Sequence, residues 1–375
     1  MSFIAAMFAN LSSFMAMIVP FLFVLTLIVF VHEMGHYLVA RWCGVRVEIF
    51  SVGFGREIVG FNDRNGTRWR LSLIPLGGYV KFFGDMNEAS MPDPEVAQMS
   101  AADRAVALPF QPVWKRAAIV AAGPLANFLL AIVIFAATFM VYGQQIMPPR
   151  VAAVIEGGAA AKAGLQPGDL VVSIDGRPVE SFADIPRTVA LRAGDPLVFE
   201  IERKGQIIAL TVVPQAVEVA SAAGKQRIGR IGMQGVADPK QLVLRTYGPG
   251  EALSLAVRET GRIIGDNLRF VTRAFEGKAD LSQLSGPVGI AKVAGEAASI
   301  SLISLVMLAA ALSVSIGLVN LFPIPVLDGG HLVLLTFEAV AGRPLNATAQ
   351  EWAFRAGFVL LFGLMIFSVV NDFIR

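Results

Sequence analysis

The residues with the clearest chemical potential are His32, Glu33 and His36, an H-E-x-x-H motif at the end of an uncharged run. No charged residue precedes His32, and from Phe14 to Val31 only Pro20 and Thr26 interrupt the apolar series. On a helix, positions four apart share a face, so His32 and His36 can point at one metal ion. Glu33 sits beside them, where it can take a proton from a water held there. Chance alone produces the motif in roughly one chain of this length in a hundred. Coincidence, or two histidines pairing in a helix bundle, is therefore the competing reading. Two observations weaken it. The chain has three histidines and two are here. Ionisable side chains within a membrane span are costly and by default mark function.

A catalytic zinc commonly takes three protein ligands and keeps one open position. No second histidine or glutamate follows at the short spacing used by many soluble zinc proteases. The best third candidate is Asp328, in the run Asn320-Leu-Phe-Pro323-Ile-Pro325-Val-Leu-Asp328-Gly329-Gly330-His331. Ile300 to Leu327 is wholly uncharged, so Asp328 stands alone. Pro323 and Pro325 break a helix there and can turn the carboxylate back toward the two histidines. Taken alone, Asp328-Gly329 would read as a simple helix-end turn. His331 reads as a supporting or structural group ahead of a fourth metal ligand, which an open zinc site does not need.

The elements that must position these residues are membrane spans. Of 375 residues, 55% are hydrophobic and only 16% charged, against about 25% in soluble domains. The apolar residues gather in long blocks. Each of four is long enough to cross a bilayer, which takes about 20 residues. They predict a first transmembrane helix within 1–43, a second within 114–143, a third within 300–335 and a fourth within 350–375. The first run leads straight into His32 and Glu33 with no small-residue cleavage site, so it reads as a retained span and not a removed signal. Basic flanks set the orientation. Arg41 and Arg46 follow the first span, and Lys115 and Arg116 precede the second, which puts 44–113 in the cytoplasm. The termini and the long segment before the third span then lie outside. By this topology His36 and Asp328 end at the same membrane face. Net charge is +2 and there is no basic tract, which argues against nucleic acid. With Cys43 as the only cysteine, an intramolecular disulfide and C-x-x-C sites are excluded.

Between the spans lie two regions of β character. In 44–84, Val45 to Ile49 alternates apolar and charged, Asn65-Gly66 signals a hairpin turn, and Trp69, Leu71 and Leu73 alternate after it. Gly53, Gly55 and Gly77-Gly78 allow close backbone approach. The segment is either a plain hairpin or a sheet edge beside the metal site, able to add a substrate strand. Residues 85–112 are polar and proline-interrupted and read as a loop. The second region, 148–215, reads as a compact domain. Its order of Ala160, Ala163-Gly164-Leu165, Gly168-Asp169 and Asp175-Gly176 resembles a bacterial PDZ domain of the protease-associated type. Such a domain binds an extended peptide, often a chain end, by strand addition. Residues 216–299 read as a linker plus an amphipathic helix over 251–275, lying on the outer membrane surface or against the PDZ domain.

Taken together, H-E-x-x-H in the first span and N-x-x-P-x-P-x-L-D-G at the third resemble the site-2 protease family of intramembrane zinc metalloproteases. The span order, the β-loop and the external PDZ resemble its bacterial regulator of sigma-E protease branch over nearly the whole chain, with one recognisable PDZ where members of that branch carry two. The resemblance implies one Zn2+ per chain held by His32, His36 and Asp328, with Glu33 as general base. It also implies that Asn320 holds the substrate or stabilises its oxyanion, and that Gly53 and Gly55 lie in a β-loop that pairs with an unwound substrate. The expected fold is a four-span α-helical membrane protein with a cytoplasmic-side β-hairpin loop and an inserted periplasmic α+β PDZ domain, in a bacterial inner membrane. The expected partners are single-span membrane substrates already cut outside, such as an anti-sigma factor, with remnant signal peptides as a second source, peptide ends at the PDZ, and the lipid bilayer. Two rivals are an inactive membrane PDZ scaffold and a metal transporter. The first is disfavoured because both motifs are complete, the second because spans two and four offer almost no polar residues.

Overall fold

The computed structural model describes residues 2–84, 99–179, 181–182, 184–190, 192–221, 224–235, 243–276 and 286–374. Half of the polar segment expected as a loop at 85–112, residues 85–98, lies outside this set. Among the described residues, four helices are long and apolar enough to cross a membrane: Phe14–Trp42, Val113–Val141, Leu302–Asn320 and Thr348–Asp372. They belong to α1 (Ser2–Trp42), α3 (Val113–Val141), α8 (Leu302–Asn320) and α10 (Ala347–Ile374). A short α2 (Ala101–Val106) precedes α3. The chain is thus a membrane protein with an inserted β domain, and it divides into two compact units.

In the helical unit, residues 1–138 and 249–375, many large apolar side chains point outward. Val19, Phe23, Leu129, Val133 and Phe358 are all more than half exposed, as lipid-facing residues must be. Helices in lipid gain little from burying more apolar surface, so they meet through small residues. A Cβ at Gly35 of α1 would stand 2.8 Å from Ala126 Cβ of α3, and one at Gly317 of α8 would stand 3.1 Å from Asn127 Cβ. These contacts bring α1, α3 and α8 together at one level.

The third span, α8, stops at Asn320, and Asp328 opens a separate α9 (Asp328–Ala341). The reason lies in the residues between. Pro323 and Pro325 have no N–H to continue a helix, and Val326 adopts φ +95°, a conformation that costs a β-branched residue about 1–3 kcal/mol. Neighbouring glycines make room for the bent chain. A Cβ at Gly330 would lie 2.7 Å from Pro325 Cα, and one at Gly329 would collide with the carbonyls of Leu321 and Phe322. Gly357 of α10 backs the same loop at Pro325.

The segment before the third span also holds more structure than expected. It contains α6 (Pro249–Phe275) and a further helix, α7 (Pro287–Ile300), whose Ala294 packs with Val24, Ile28, Leu305 and Ala309. The buried face of α6 carries Ala252, Ala256 and Thr260, while Leu253, Val257 and Leu268 are exposed. Asn267 Nδ2 donates to Ser315 Oγ of α8 at 3.0 Å. The helix therefore has α8 as a partner, which the sequence did not name. Amphipathicity alone fixes neither the partner nor the depth of a helix.

The loop after α1 forms a sheet from β1 (Val47–Asn62) and β2 (Arg68–Phe82). It has four segments, because Ser51 pairs with both Arg70 and Tyr79, and Val52 with both Leu71 and Gly78. The order is 57–62, 68–72, 47–52, 78–82. Residues 78–82 form one outer edge, with no strand partner on their far side among the described residues. The sheet is pinned to the end of α1 through Tyr37, Ala40, Phe50, Val80 and Phe82. Tyr37 and Trp69 both donate to Asp63 Oδ2 at 3.1 Å, and the N–H groups of Asn65 and Thr67 donate to its Oδ1. Burial would raise the Asp63 carboxyl, but these four donors outweigh it and hold it below the usual carboxylate range.

The other unit, Phe139–Gly248, contains β3 (Gln144–Ile146), β4 (Val151–Val154), α4 (Ala159–Lys162), β5 (Leu170–Ile174), β6 (Arg177–Pro178), α5 (Asp184–Ala190), β7 (Leu197–Arg203), β8 (Gln206–Val212), β9 (Gln215–Ser221), β10 (Gly224–Arg230), β11 (Met233–Gly235) and β12 (Val243–Arg245). The main sheet has the order β6-β5-β7-β8. Its core holds Val171, Ile174, Leu197, Phe199, Ile201 and Val212. The unit is wider than the expected 148–215. The backbone of β4 needs a partner, and β11 supplies it from beyond that boundary while Ile231 joins the core. Asp169, 1% exposed, receives two hydrogen bonds at 2.7 Å from Arg203.

Candidate metal centre and active-site cavity

His32 and His36 lie on α1 one turn apart, both buried, with their Nε2 atoms 3.2 Å from each other. The break after α8 delivers Asp328 to the same point. Its Oδ2 is 3.1 Å from His32 Nε2 and its Oδ1 is 3.5 Å from His36 Nε2. Two imidazole nitrogens and a carboxylate oxygen thus converge, all within 4.8 Å, and could hold one metal ion. The spacing fits zinc. Ligand atoms about 2.05 Å from a tetrahedral zinc stand about 3.3 Å apart; the two histidine nitrogens are 3.2 Å apart and each has a carboxylate oxygen of Asp328 at 3.1 or 3.5 Å, Oδ2 for His32 and Oδ1 for His36. The donor set also suits it, since imidazole and carboxylate are both common zinc ligands and three protein ligands leave a fourth position open.

The third helix of the group, α3, is the wall against which the histidines are set. Gly123 lies directly under both rings. A Cβ there would be 2.6 Å from His36 Cε1 and 2.9 Å from His32 Cε1, so a larger residue cannot share the space. On either side of Gly123, α3 contributes a polar contact. Ile119 O is 2.8 Å from His36 Nδ1. Asn127 Nδ2 is 3.2 Å from His32 Nδ1. Ser313 Oγ of α8 donates to the Asn127 carbonyl at 2.9 Å, which ties α8 to the same turn. Asn127 reads from sequence as a polar residue bonding between helices. Its contact with a histidine of the H-E-x-x-H motif shows only in the fold, and Ile119 acts through its backbone, where no residue type could signal it.

A cavity of about 780 Å³ opens from this cluster. Glu33 lines it, as do Asn320, Asp328 and His331, so the two motifs face one space. Gly77 to Val80 of β2 form another part of its wall. A Cβ at Gly78 would stand 3.2 Å from Glu33 Cγ; the free sheet edge therefore runs right beside Glu33. Gly53 and Gly55 do not line the cavity, although Phe54 between them does. Both adopt positive φ, +90° and +85°, and bend β1; the backbone that borders the cavity is the Gly77-Gly78 stretch. Pro323 and Pro325 shape the loop behind Asp328. His331 packs its ring 5.3 Å from that of Phe354 on α10. At the cavity wall Arg116 makes two hydrogen bonds to Glu338 of α9, at 3.0 and 2.5 Å.

The sequence profile of peptidase family M50 matches residues 20–364, which covers the part of α1 that carries the two histidines and also Asp328. A protein of Agrobacterium fabrum named as a zinc metalloprotease is 51% identical, with 95% of each chain aligned. One of Brucella suis with the same kind of name is 50% identical over 98% of each chain. Metalloprotease MmpA of Caulobacter vibrioides is 41% identical over 96% of each. The solved PDZ domain of an SdrC-like protein from Listeria monocytogenes aligns with 23% of this chain and 85% of its own, at 23% identity and a TM-score of 0.19, and that likeness carries no argument. The convergence of two histidines and an aspartate at zinc spacing is thus matched by end-to-end similarity to metalloproteases: this chain belongs to peptidase family M50, the site-2 protease family, and is a zinc metalloprotease.

Proposed function

We propose that the chain hydrolyses peptide bonds of single-span membrane proteins within or near the bilayer. The observation that carries this is Glu33: it shares one cavity with the His32, His36 and Asp328 cluster, and a free strand edge passes beside it. His32, His36 and Asp328 would hold one zinc per chain. Zinc, when bound, polarises a scissile carbonyl and acidifies water at neutral pH. The Glu33 carboxylate accepts the proton of the attacking water and delivers it to the nitrogen of the leaving amine. Asn320, at the cavity wall, donates to the carbonyl oxygen of the substrate. A helical substrate hides its carbonyls in its own hydrogen bonds, so it must unwind before attack. The edge at 78–82 then offers main-chain partners to the extended segment.

By extension, the substrate is a membrane protein already cut on its outer side, such as an anti-sigma factor, or a remnant signal peptide. Residues 148–215 act as a PDZ domain that binds peptide ends outside the bacterial inner membrane, and the metal centre opens toward the cytoplasm. The test is Glu33→Gln in the full-length protein with a reporter membrane substrate. Cleavage is abolished while zinc stays bound. Undiminished cleavage by this variant would overturn the assignment. Loss of zinc from Asp328→Ala separates a metal ligand from a turn residue, and an inactive scaffold is excluded by cleavage in the unsubstituted protein.

A further inference from the structure

Three residues of α3 one turn apart, Ile119, Gly123 and Asn127, face the two histidines of α1. At His36 the hydrogen-bond sense is fixed by chemistry. A backbone carbonyl only accepts, so the His36 Nδ1 that meets Ile119 O at 2.8 Å carries the hydrogen. In the neutral ring its Nε2 is then the lone-pair nitrogen, and Nε2 is the atom directed at Asp328. At His32 the partner is a side-chain amide, which has a donor end and an acceptor end. Asn127 is 0% exposed. Its Nδ2 lies 3.2 Å from His32 Nδ1, while its Oδ1 has no hydrogen-bond partner among the described residues.

His32 decides which end must face it. Its Nε2 is directed at Asp328 and His36, so a metal takes that nitrogen. A neutral imidazole with a ligating Nε2 carries its hydrogen on Nδ1. An amide N–H2 set against that N–H would place donor against donor. A half-turn of the amide about its Cβ–Cγ bond exchanges the two ends within nearly the same volume and presents the oxygen instead.

We propose that Asn127 is the positioning residue of His32: its amide oxygen accepts the Nδ1–H of His32, holding the ring in the tautomer and orientation that leave Nε2 free for zinc. The inference rests on the zinc-binding reading above. Histidine ligands commonly donate their second nitrogen to an oxygen, and losing that partner weakens metal binding by about 10- to 100-fold. On this account α3 supplies both outer partners, a backbone oxygen to His36 and a side-chain oxygen to His32. Gly123 between them is the gap through which the rings reach those oxygens.

The experiment measures zinc affinity of the full chain in detergent by competition with a chelator. Zinc binding by the unsubstituted protein tests the metal reading; the Asn127 variants test this inference separately. Asn127→Leu, close in size and without hydrogen-bonding groups, binds zinc about 10- to 100-fold more weakly. Asn127→Asp, which keeps an acceptor and removes the donor, binds zinc at least as tightly as the unsubstituted chain. Should Asn127→Leu not fold, Asn127→Ala carries the same expectation. With only three histidines in the chain, nitrogen-15 histidine spectra of the zinc-loaded protein give a second readout. The Nδ1–H signal of His32 moves in Asn127→Leu, while that of His36 stays. Zinc affinity within about twofold of the unsubstituted protein in Asn127→Leu, or Asn127→Asp as weak as Asn127→Leu, would overturn the proposal.

Discussion

The helical unit and the β unit are held together by opposite means. In the β unit, large apolar side chains such as Leu197, Phe199, Ile201 and Val212 are fully buried, and removing them from water supplies the stability. In the helical unit, many residues of the same type face outward, and the centre of the contact between α1, α3 and α8 is built from Gly35, Gly123, Gly317, Asn127 and Ser313. There, close backbone approach does what bulk does in the β unit. The lesson concerns where each unit is fragile. The β unit is sensitive to what is taken away, and the metal centre to what is added.

The largest effect should come from adding one methyl group. Gly123→Ala puts a Cβ into the space of both histidine rings. Misplacing reacting groups by about 1 Å can cost about 100-fold in rate. Cleavage of a membrane reporter should fall by at least that factor and zinc content should drop, with the helices still folded by circular dichroism. Normal zinc content would break the contrast. Next comes a deletion in the other unit. Phe199→Ala should destabilise it by about 3–5 kcal/mol, read as faster proteolysis within 139–248 of the full chain, with zinc content unchanged.

A smaller effect is expected at Asp169. Burial alone would raise its carboxyl, but the hydrogen bonds from Arg203 and the Gln166 N–H outweigh burial and lower it below the usual value. A group lowered on folding stabilises above its unfolded value, about pH 4, and the contribution is lost as pH falls through the lower folded value. Asp169→Ala should cost about 2 kcal/mol at pH 7 and flatten the acid limb of β-unit stability. An unchanged acid limb would show that other carboxylates control it. The smallest effect belongs to Leu129, 62% exposed on α3. Leu129→Ala should change stability by no more than about 0.5 kcal/mol, although the same type of truncation at Leu197 would create a cavity.

How much of this was legible in the sequence follows from the same contrast. His32, His36 and Asp328 stood out because each is ionisable within a long uncharged run. The helix break was legible in Pro323 and Pro325, although the separate α9 was not, since nothing in composition marks where a helix resumes. A sheet edge beside the metal site was one of two readings of 44–84, but which segment forms it was not legible, because β1 pairs with both halves of β2, a register that spacing does not encode. β11 was missed for a related reason: its partner β4 lies some eighty residues earlier. The Ile119 carbonyl had no signal at all, because every residue has one.

One feature of α6 bears on where the reaction gets its water. Ser315, which receives the Asn267 hydrogen bond, lies about 20 Å along α8 from Leu302 at 1.5 Å per residue, on a helix whose length suits a hydrocarbon layer about 30 Å thick. Beside Asn267, Glu259, Arg262, Asp266 and Arg269 form a chain of ion pairs at an exposed face. Ionisable side chains are costly against acyl chains, so this face calls for water, headgroups or a protein partner beside α8. Hydrolysis consumes one water per bond cut, and a charged face along a membrane-length helix is a place where water is held.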